Sequence, residues 1–139
     1  MEIERFQIPV QDVAGAISQR EVTVTESGDD YRVVLSCGNT LFSGEASDIF
    51  AAFAQIRIAL RNEGATALCY ASSKNVFPSP MSRSMGGGLK AYRLTSGKQA
   101  LKQDLVCIFD TGPDIEPVSP TEQQAFFDSW LRSLGQGNG

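Results

Sequence analysis

No histidine occurs among the 139 residues of this sequence. Without an imidazole the chain has no Ser-His-Asp or Cys-His nucleophilic centre and no histidine acid–base catalyst, and it lacks the commonest metal ligand. Carboxylates and lysines can also carry acid–base chemistry, so this absence argues against a hydrolase without excluding one. No other motif specifies a reaction. We therefore predict a protein that is not an enzyme, with no catalytic residue.

Cysteine is also scarce. Cys37, Cys69 and Cys107 lie more than 30 residues apart, each in an apolar, strand-like run. An odd number of widely spaced cysteines does not predict a disulfide framework, and a zinc site needs ligands that are close in pairs. We expect buried, unreactive thiols that pack as small apolar groups, with no metal site and no cofactor.

Long apolar runs are missing. No stretch approaches the roughly 20 apolar residues that span a bilayer. The first ten residues, MEIERFQIPV, lack the apolar core of a signal peptide, so we expect a cytoplasmic protein without membrane contact. Apolar residues make up 42% of the chain and charged residues 20%, which is typical of a globular protein, and the length predicts one domain over residues 1–139.

Apolar periodicity predicts an α+β fold with the order β-β-β-α-β-β-β-α. The predicted strands are 20–26, 31–37, 40–44, 65–72, 89–95 and 104–110, and the predicted helices are 48–63 and 120–135. Residues 1–19 are predicted as an N-terminal arm and 136–139 as a frayed tail. Hairpin turns between the strands favour a largely antiparallel sheet of about six strands, with the two helices packed on it.

Two arginines on the first predicted helix are candidates for ligand contact. Arg57 and Arg61 lie beside the apolar stripe that begins at Ile49. A solvated helix flank is the favoured interpretation, and contact with a ligand is the alternative.

Charge is segregated along the chain. Residues 64–103 carry six basic side chains and no acidic one, whereas residues 1–63 and 104–139 each have a net charge of −5. One interpretation is that the basic segment pairs with the acidic ones inside the fold. Alternatively, the basic segment binds an anion, or an acidic outer surface steers a basic partner to the protein.

The stretch 76–94, VFPSPMSRSMGGGLKAYRL, lies in the basic segment. Three successive glycines expose backbone N–H groups that can form an anion nest. Ser82, Arg83 and Ser84 add donors to Gly86, Gly87 and Gly88, so these six residues form a candidate anion site. The spacing matches neither a P-loop nor a dinucleotide-binding loop, and a structural connection into the next strand is the alternative.

Two methionines in this stretch, Met81 and Met85, are candidates for partner binding. If exposed they would form an adaptable apolar surface for a partner or for a second copy of the chain, and the alternative is that they pack into the core. Arg83, Lys90, Tyr92 and Arg93 suit nucleic acid, but a pI near 4.8 makes that partner unlikely.

The sequence PSPMSRSMGGGLKAYRL, with DLVCIFD and TEQQAFFDSWLRSL after it, resembles small bacterial immunity proteins of polymorphic-toxin and contact-dependent inhibition systems. The similarity covers residues 65–134 and centres on residues of the glycine stretch: Met81, Ser82, Arg83, Met85, Gly86, Gly88 and Tyr92. This resemblance implies a cytoplasmic antidote that binds and blocks a cognate toxin domain, and it implies no catalytic residue.

An acidic, histidine-free protein suits such a binder, since an acidic surface can occupy the nucleic-acid site of a basic nuclease. Asp110, Asp114 and Glu116 are the candidate acidic contacts, with Met81, Arg83 and Met85 as further partner-binding candidates. A small anion- or nucleotide-binding domain is the alternative function, and a homodimer is a further possibility.

Overall fold

A computed structural model of the protein describes residues 3–136. The described chain contains eight strands, three α-helices and two short 3₁₀ turns. The strands are β1 (Ile3–Gln11), β2 (Ile17–Ser27), β3 (Asp30–Cys37), β4 (Thr40–Ala46), β5 (Thr66–Ala67), β6 (Val76–Phe77), β7 (Lys90–Arg93) and β8 (Leu105–Cys107). The helices are α1 (Ile49–Asn62), α2 (Pro80–Gly86) and α3 (Pro120–Gln136), and the 3₁₀ turns are Tyr70–Ser72 and Lys102–Asp104.

The first four strands form an antiparallel meander, which confirms the predicted hairpins. Gly28 and Gly38 have positive φ angles of 64° and 61° and open the two-residue turns that join β2 to β3 and β3 to β4. With β5 added beyond β1, the sheet order is β4-β3-β2-β1-β5. The described part of the predicted N-terminal arm, residues 3–19, belongs to the sheet instead, because β1 pairs with β2 along its whole length.

One face of this five-stranded sheet is covered by α1. Alternate residues of β1, β2 and β3 are buried there, and the apolar stripe of α1 packs onto them. These core residues are Ile8, Val10, Val22, Val24, Val33, Leu35, Ile49, Phe53, Ile56 and Leu60. The helix starts at Asp48, whose Oδ1 accepts a hydrogen bond from the Ala51 N–H at 2.8 Å. The predicted helix is therefore confirmed, with Asp48 as its cap.

The second half of the chain is less regular. A three-stranded antiparallel sheet has the order β6-β7-β8, and its strands are two to four residues long. Two sequence predictions are wrong here. The strand predicted over 65–72 is reduced to Thr66–Ala67, and the central strand predicted over 104–110 is a three-residue edge strand that ends before Ile108 and Phe109 turn into the core.

Three helices are present in the described chain instead of the predicted two. The additional one, α2, falls in a stretch that was predicted as a connection. The predicted helix over 120–135 is confirmed as α3, and a capping box starts it: Ser119 Oγ accepts from the Glu122 N–H at 3.2 Å, and Glu122 Oε1 accepts from the Ser119 N–H at 3.3 Å. The predicted tail at 136–139 lies outside the described residues except for Gln136, which ends α3.

Phe109 joins the two halves of the molecule. Its ring lies 4.9 Å from Phe6 on β1 and 5.1 Å from Phe53 on α1, measured between centroids. Tyr70 and Ala71 donate backbone hydrogen bonds to Asp110 and Ile108 on the same segment. The segment after β8 therefore packs into the core beneath the five-stranded sheet.

Candidate partner-binding surface

Helix α2 is formed by local signals at both ends. Ser79 caps it by accepting a hydrogen bond from the Ser82 N–H at 3.0 Å, and Pro80 occupies the first helical position, where its missing N–H has no cost. Gly87 ends the helix in the left-handed conformation at φ 66°. A Cβ at Gly87 would contact the Tyr31 ring at 2.8 Å, so this helix end is packed closely against β3.

The inner side of α2 is attached to the start of α1. Arg83 Nη1 lies 2.8 Å from Asp48 Oδ2, and the Arg83 guanidinium lies over the rings of Phe50 and Phe77 at 5.4 and 5.2 Å from their centroids. Asp48 is buried and caps α1 at the same time. Arg83 therefore joins two helices, and the arginine predicted to bind a partner or an anion is already paired within the protein.

The predicted anion nest is not formed. The backbone N–H groups of Gly87 and Gly88 both donate to the carbonyl oxygen of Ser82, which ends the helix. The Ser82 hydroxyl is bonded to Ser79 and the Ser84 hydroxyl to the Met81 carbonyl. The Gly87 and Gly88 N–H groups and the Ser84 hydroxyl thus donate within α2, and Arg83 donates to Asp48. This arrangement favours the structural connection, which was the alternative considered from the sequence.

The outer side of α2 is apolar and exposed. Met81 is 69% exposed and Met85 is 82% exposed, and their spacing of four residues places both side chains on the same face of the helix. Of the two alternatives considered from the sequence, the structure therefore supports exposure. The other side of α2 is held by Arg83 and Gly87, so the methionine pair stands on an anchored helix.

An apolar groove begins beside the first turn of α2. It has a volume of about 410 Å³ and lies between α3 and the three-stranded sheet. Its lining includes Phe77, Pro80, Tyr92, Phe127, Trp130 and Leu131. Phe127 stacks on Phe77 with centroids 4.2 Å apart, and Trp130 Nε1 donates to the Lys98 carbonyl oxygen at 2.9 Å. The groove walls are thus fixed by ring packing and one hydrogen bond.

The three predicted acidic contacts are all exposed on the segment that leads from β8 to α3. Asp114 accepts a hydrogen bond from the Tyr70 hydroxyl at 2.8 Å and lies 3.5 Å from Arg93 Nη1. The Tyr70 hydroxyl is the main reason that the pKa of Asp114 is lowered. Asp110 and Glu116 have no ion pair within 4 Å among residues 3–136, so their carboxylates face solvent.

The basic segment is only partly neutralised inside the fold. Arg83 and Arg93 pair with Asp48 and Asp114, which come from the two acidic segments. Lys90, Lys98 and Lys102 are exposed, and none of them forms an ion pair within the described part of the chain. Pairing with the acidic segments therefore holds for Arg83 and Arg93 but not for these three lysines.

The three cysteines are free thiols. Cys69 is fully buried, and burial raises its pKa to about 12. Cys37 and Cys107 are half-buried, and burial raises their pKa values too. Among residues 3–136, no three His, Cys, Asp or Glu side chains form a group that could hold a metal ion. Within the same range, no helix has the length and apolar character needed to cross a membrane.

No protein-family model matches this sequence, and a search of curated proteins gave no match. The surface described above therefore stands on geometry alone. Sequence reasoning missed α2, although Ser79-Pro80 repeats the Ser-Pro start of α3 and Gly87 supplies its stop. It also favoured a solvated position for Arg57, whose side chain is buried.

Proposed function

We propose that this protein is a non-enzymatic antidote, an immunity protein that binds and neutralises a cognate bacterial toxin domain in the cytoplasm. The resemblance of residues 65–134 to immunity proteins supports this function. The structural observation that carries it is the exposed Met81–Met85 pair on α2. Exposed methionines are adaptable apolar contacts and are common on surfaces that bind other proteins.

The anchoring of α2 makes this surface suitable for tight binding. Arg83 and the glycine turn hold the helix before a partner arrives, so little backbone conformational entropy is lost when the methionines become buried. The groove starting at Pro80 extends the apolar surface beside the same helix turn. A partner with one apolar side chain in this groove and others over α2 would bury a continuous apolar patch.

The exposed acidic side chains indicate the charge of the partner. The chain has a net charge of −4, and Asp110 and Glu116 are free to meet basic groups. Charges at an interface rim mainly raise the association rate and its dependence on salt. We therefore propose a basic toxin domain, such as a nuclease, as the partner.

Co-expression with the product of a neighbouring gene that encodes a toxin-like domain tests this function. We expect the two proteins to co-purify as a complex and the antidote to restore growth of cells that make the toxin. The double variant Met81→Ala/Met85→Ala should weaken binding by tenfold or more, because central apolar contacts dominate interface energies. Leu41→Ala is the matched control, since Leu41 is also 68% exposed but lies on β4.

The proposal is wrong if no toxin-like product from the gene neighbourhood co-purifies and growth is not restored. A second copy of the chain, forming a homodimer, is the other partner considered for the exposed Met81–Met85 pair. Light scattering on the isolated protein would then give twice the monomer mass, and the double methionine variant would return it to a monomer while Leu41→Ala would not.

A further inference from the structure

A cleft lies between helix α2 and the end of the five-stranded sheet. Its volume is about 250 Å³. The walls come from strands β1 to β3, the start of α1, the end of α2 and the residue before β7, and the lining residues are Glu4, Val24, Glu26, Tyr31, Ile49, Met85, Gly86 and Leu89. Because Met85 belongs to the exposed Met81–Met85 pair, the cleft is continuous with the surface proposed to bind the partner.

Two carboxylates of the sheet face this cleft. Glu4 lies opposite Val24 in the β1–β2 register, and Glu26 lies opposite Tyr31 in the β2–β3 register. Side chains alternate between the two faces of a strand, and Val24 is buried, so both glutamates lie on the sheet face that α1 covers. They are diagonal neighbours on adjacent strands, a position that separates residues by about 7–8 Å. One cation can bridge carboxylates at this spacing.

Neither carboxylate is neutralised within the described part of the protein. Glu4 and Glu26 are exposed, and neither forms an ion pair within residues 3–136. The described residues that line the cleft include no basic side chain. Two like charges beside one cleft repel each other, and a cation between them replaces this repulsion with attraction. The cleft is therefore complementary in charge to a cationic group.

We propose that this cleft receives an arginine side chain of the partner protein. The inference rests on the proposed function and names the residues that recognise a basic toxin domain. A planar guanidinium presents several N–H donors, so it can donate to Glu4 and Glu26 at once. The aliphatic part of the arginine covers Met85 and Tyr31. The volume is below the roughly 300–1,000 Å³ of small-molecule pockets and suits one long side chain.

Methyl NMR on the isolated protein tests the cleft without a partner. The chain has three methionines, so isotope labelling of their methyl groups gives few signals, which Met81→Ala and Met85→Ala assign. The probe is N-acetyl-arginine methylamide at low ionic strength. We expect it to shift the Met85 signal with a dissociation constant on the order of 10 mM, because exposed ion pairs and cation–ring contacts are individually weak. Met81 lies outside the cleft and should respond less.

Two matched controls isolate the charge. N-acetyl-citrulline methylamide has the shape of the arginine probe but is neutral, and it should leave the Met85 signal in place. Glu4→Gln/Glu26→Gln should weaken binding of the arginine probe by about fivefold or more, because the attraction at both carboxylates is lost. Asp29→Asn/Glu45→Gln changes the net charge equally at exposed carboxylates outside the cleft and should bind the probe like wild type.

The inference is overturned if the arginine probe leaves Met85 unshifted, if the citrulline probe shifts it equally, or if Glu4→Gln/Glu26→Gln responds like wild type. A Met85 shift with calcium chloride and none with the arginine probe would assign a metal ion to the cleft and overturn it too. In co-purification, a toxin complex indifferent to Glu4→Gln/Glu26→Gln contradicts this inference alone. Absence of any complex, with the arginine response intact, supports the cation site and contradicts the proposed function.

Discussion

The N-terminal region (residues 3–67) and the C-terminal region (residues 68–136) are held together by different kinds of hydrogen bond. In the N-terminal region, the four strands β1 to β4 have seven to eleven residues each and pair through continuous backbone ladders. In the C-terminal region the strands are at most four residues long, and buried side chains bond to backbone carbonyls in their place. Loss of one side chain should therefore matter more in the second region than in the first.

Gln123 is the centre of the side-chain network in the C-terminal region. Its amide nitrogen donates to the carbonyl oxygens of Ala71 and Ser73 at 2.9 and 2.8 Å, while its oxygen accepts from Arg57. The residue is almost fully buried. One amide thus joins α3, α1 and the 3₁₀ turn, a role that backbone ladders fill in the N-terminal region.

The largest expected effect is that of Gln123→Leu. The substitution keeps the volume but leaves two carbonyl groups and a buried guanidinium without this partner, so we expect a loss of about 4 kcal/mol of unfolding free energy. Urea unfolding followed by circular dichroism measures it. Gln124→Ala, one residue along on the exposed side of α3, should change stability by no more than about 0.5 kcal/mol. Similar losses in both variants would contradict the network role.

Gly44→Ala applies the same measurement to the N-terminal region. A Cβ at Gly44 would clash with the Ala52 carbonyl oxygen of α1, which is backbone and cannot rotate away. Separation of α1 from β4 should cost about 3 kcal/mol. Gly86→Ala is the control, since nothing lies within 4 Å of its added Cβ and its φ is not positive. If Gly44→Ala were as mild as Gly86→Ala, the close packing of α1 on β4 would be wrong.

Arg83→Met tests the connection between the two regions. Methionine can keep the contact with Phe50 and Phe77 but leaves the buried Asp48 carboxylate without its partner, and we expect a loss of about 2 kcal/mol. Arg32→Met, an exposed arginine on β3 without an ion pair within the described chain, is the matched control. A loss confined to partner affinity, with stability unchanged, would instead support the direct contact predicted from the sequence.

The sequence predicted the N-terminal region better than the C-terminal region for a physical reason. Hairpins and the α1 stripe depend on local turns and on periodicity, which a single sequence displays. Arg57 looked like a flank residue because its acceptors, Gln123 and Val118, are more than 60 residues away. The run 104–110 looked like a central strand because periodicity cannot distinguish a buried strand from a buried turn.

The sequence suggested which residues belong to the candidate site, but not how those residues are arranged. The sequence left open whether Met81 and Met85 are exposed or packed into the core, and the structure shows that both are exposed. The role of Gly86–Gly88 depends on whether Ser79-Pro80 starts a helix, and seven residues are too few for periodicity to show it. Arg83 forms an ion pair with Asp48 and lies over the rings of Phe50 and Phe77. Asp48 and Phe50 are more than 30 residues away in the sequence, so local patterns do not show these contacts.

The smallest expected effect concerns pH and the Tyr70–Asp114 contact of the C-terminal region. The Tyr70 hydroxyl, followed by Arg93, lowers the pKa of Asp114 below its ordinary value of 3.8, so the folded state favours the carboxylate. This contribution to stability is present above that value and is lost as pH falls through the lowered pKa. Wild type should therefore exceed Asp114→Asn in Tm at pH 7, and the difference should shrink in acid. Tyr70→Phe removes the donor, so NMR titration should then give Asp114 a higher pKa than in wild type; an unchanged pKa would assign the shift to Arg93 instead.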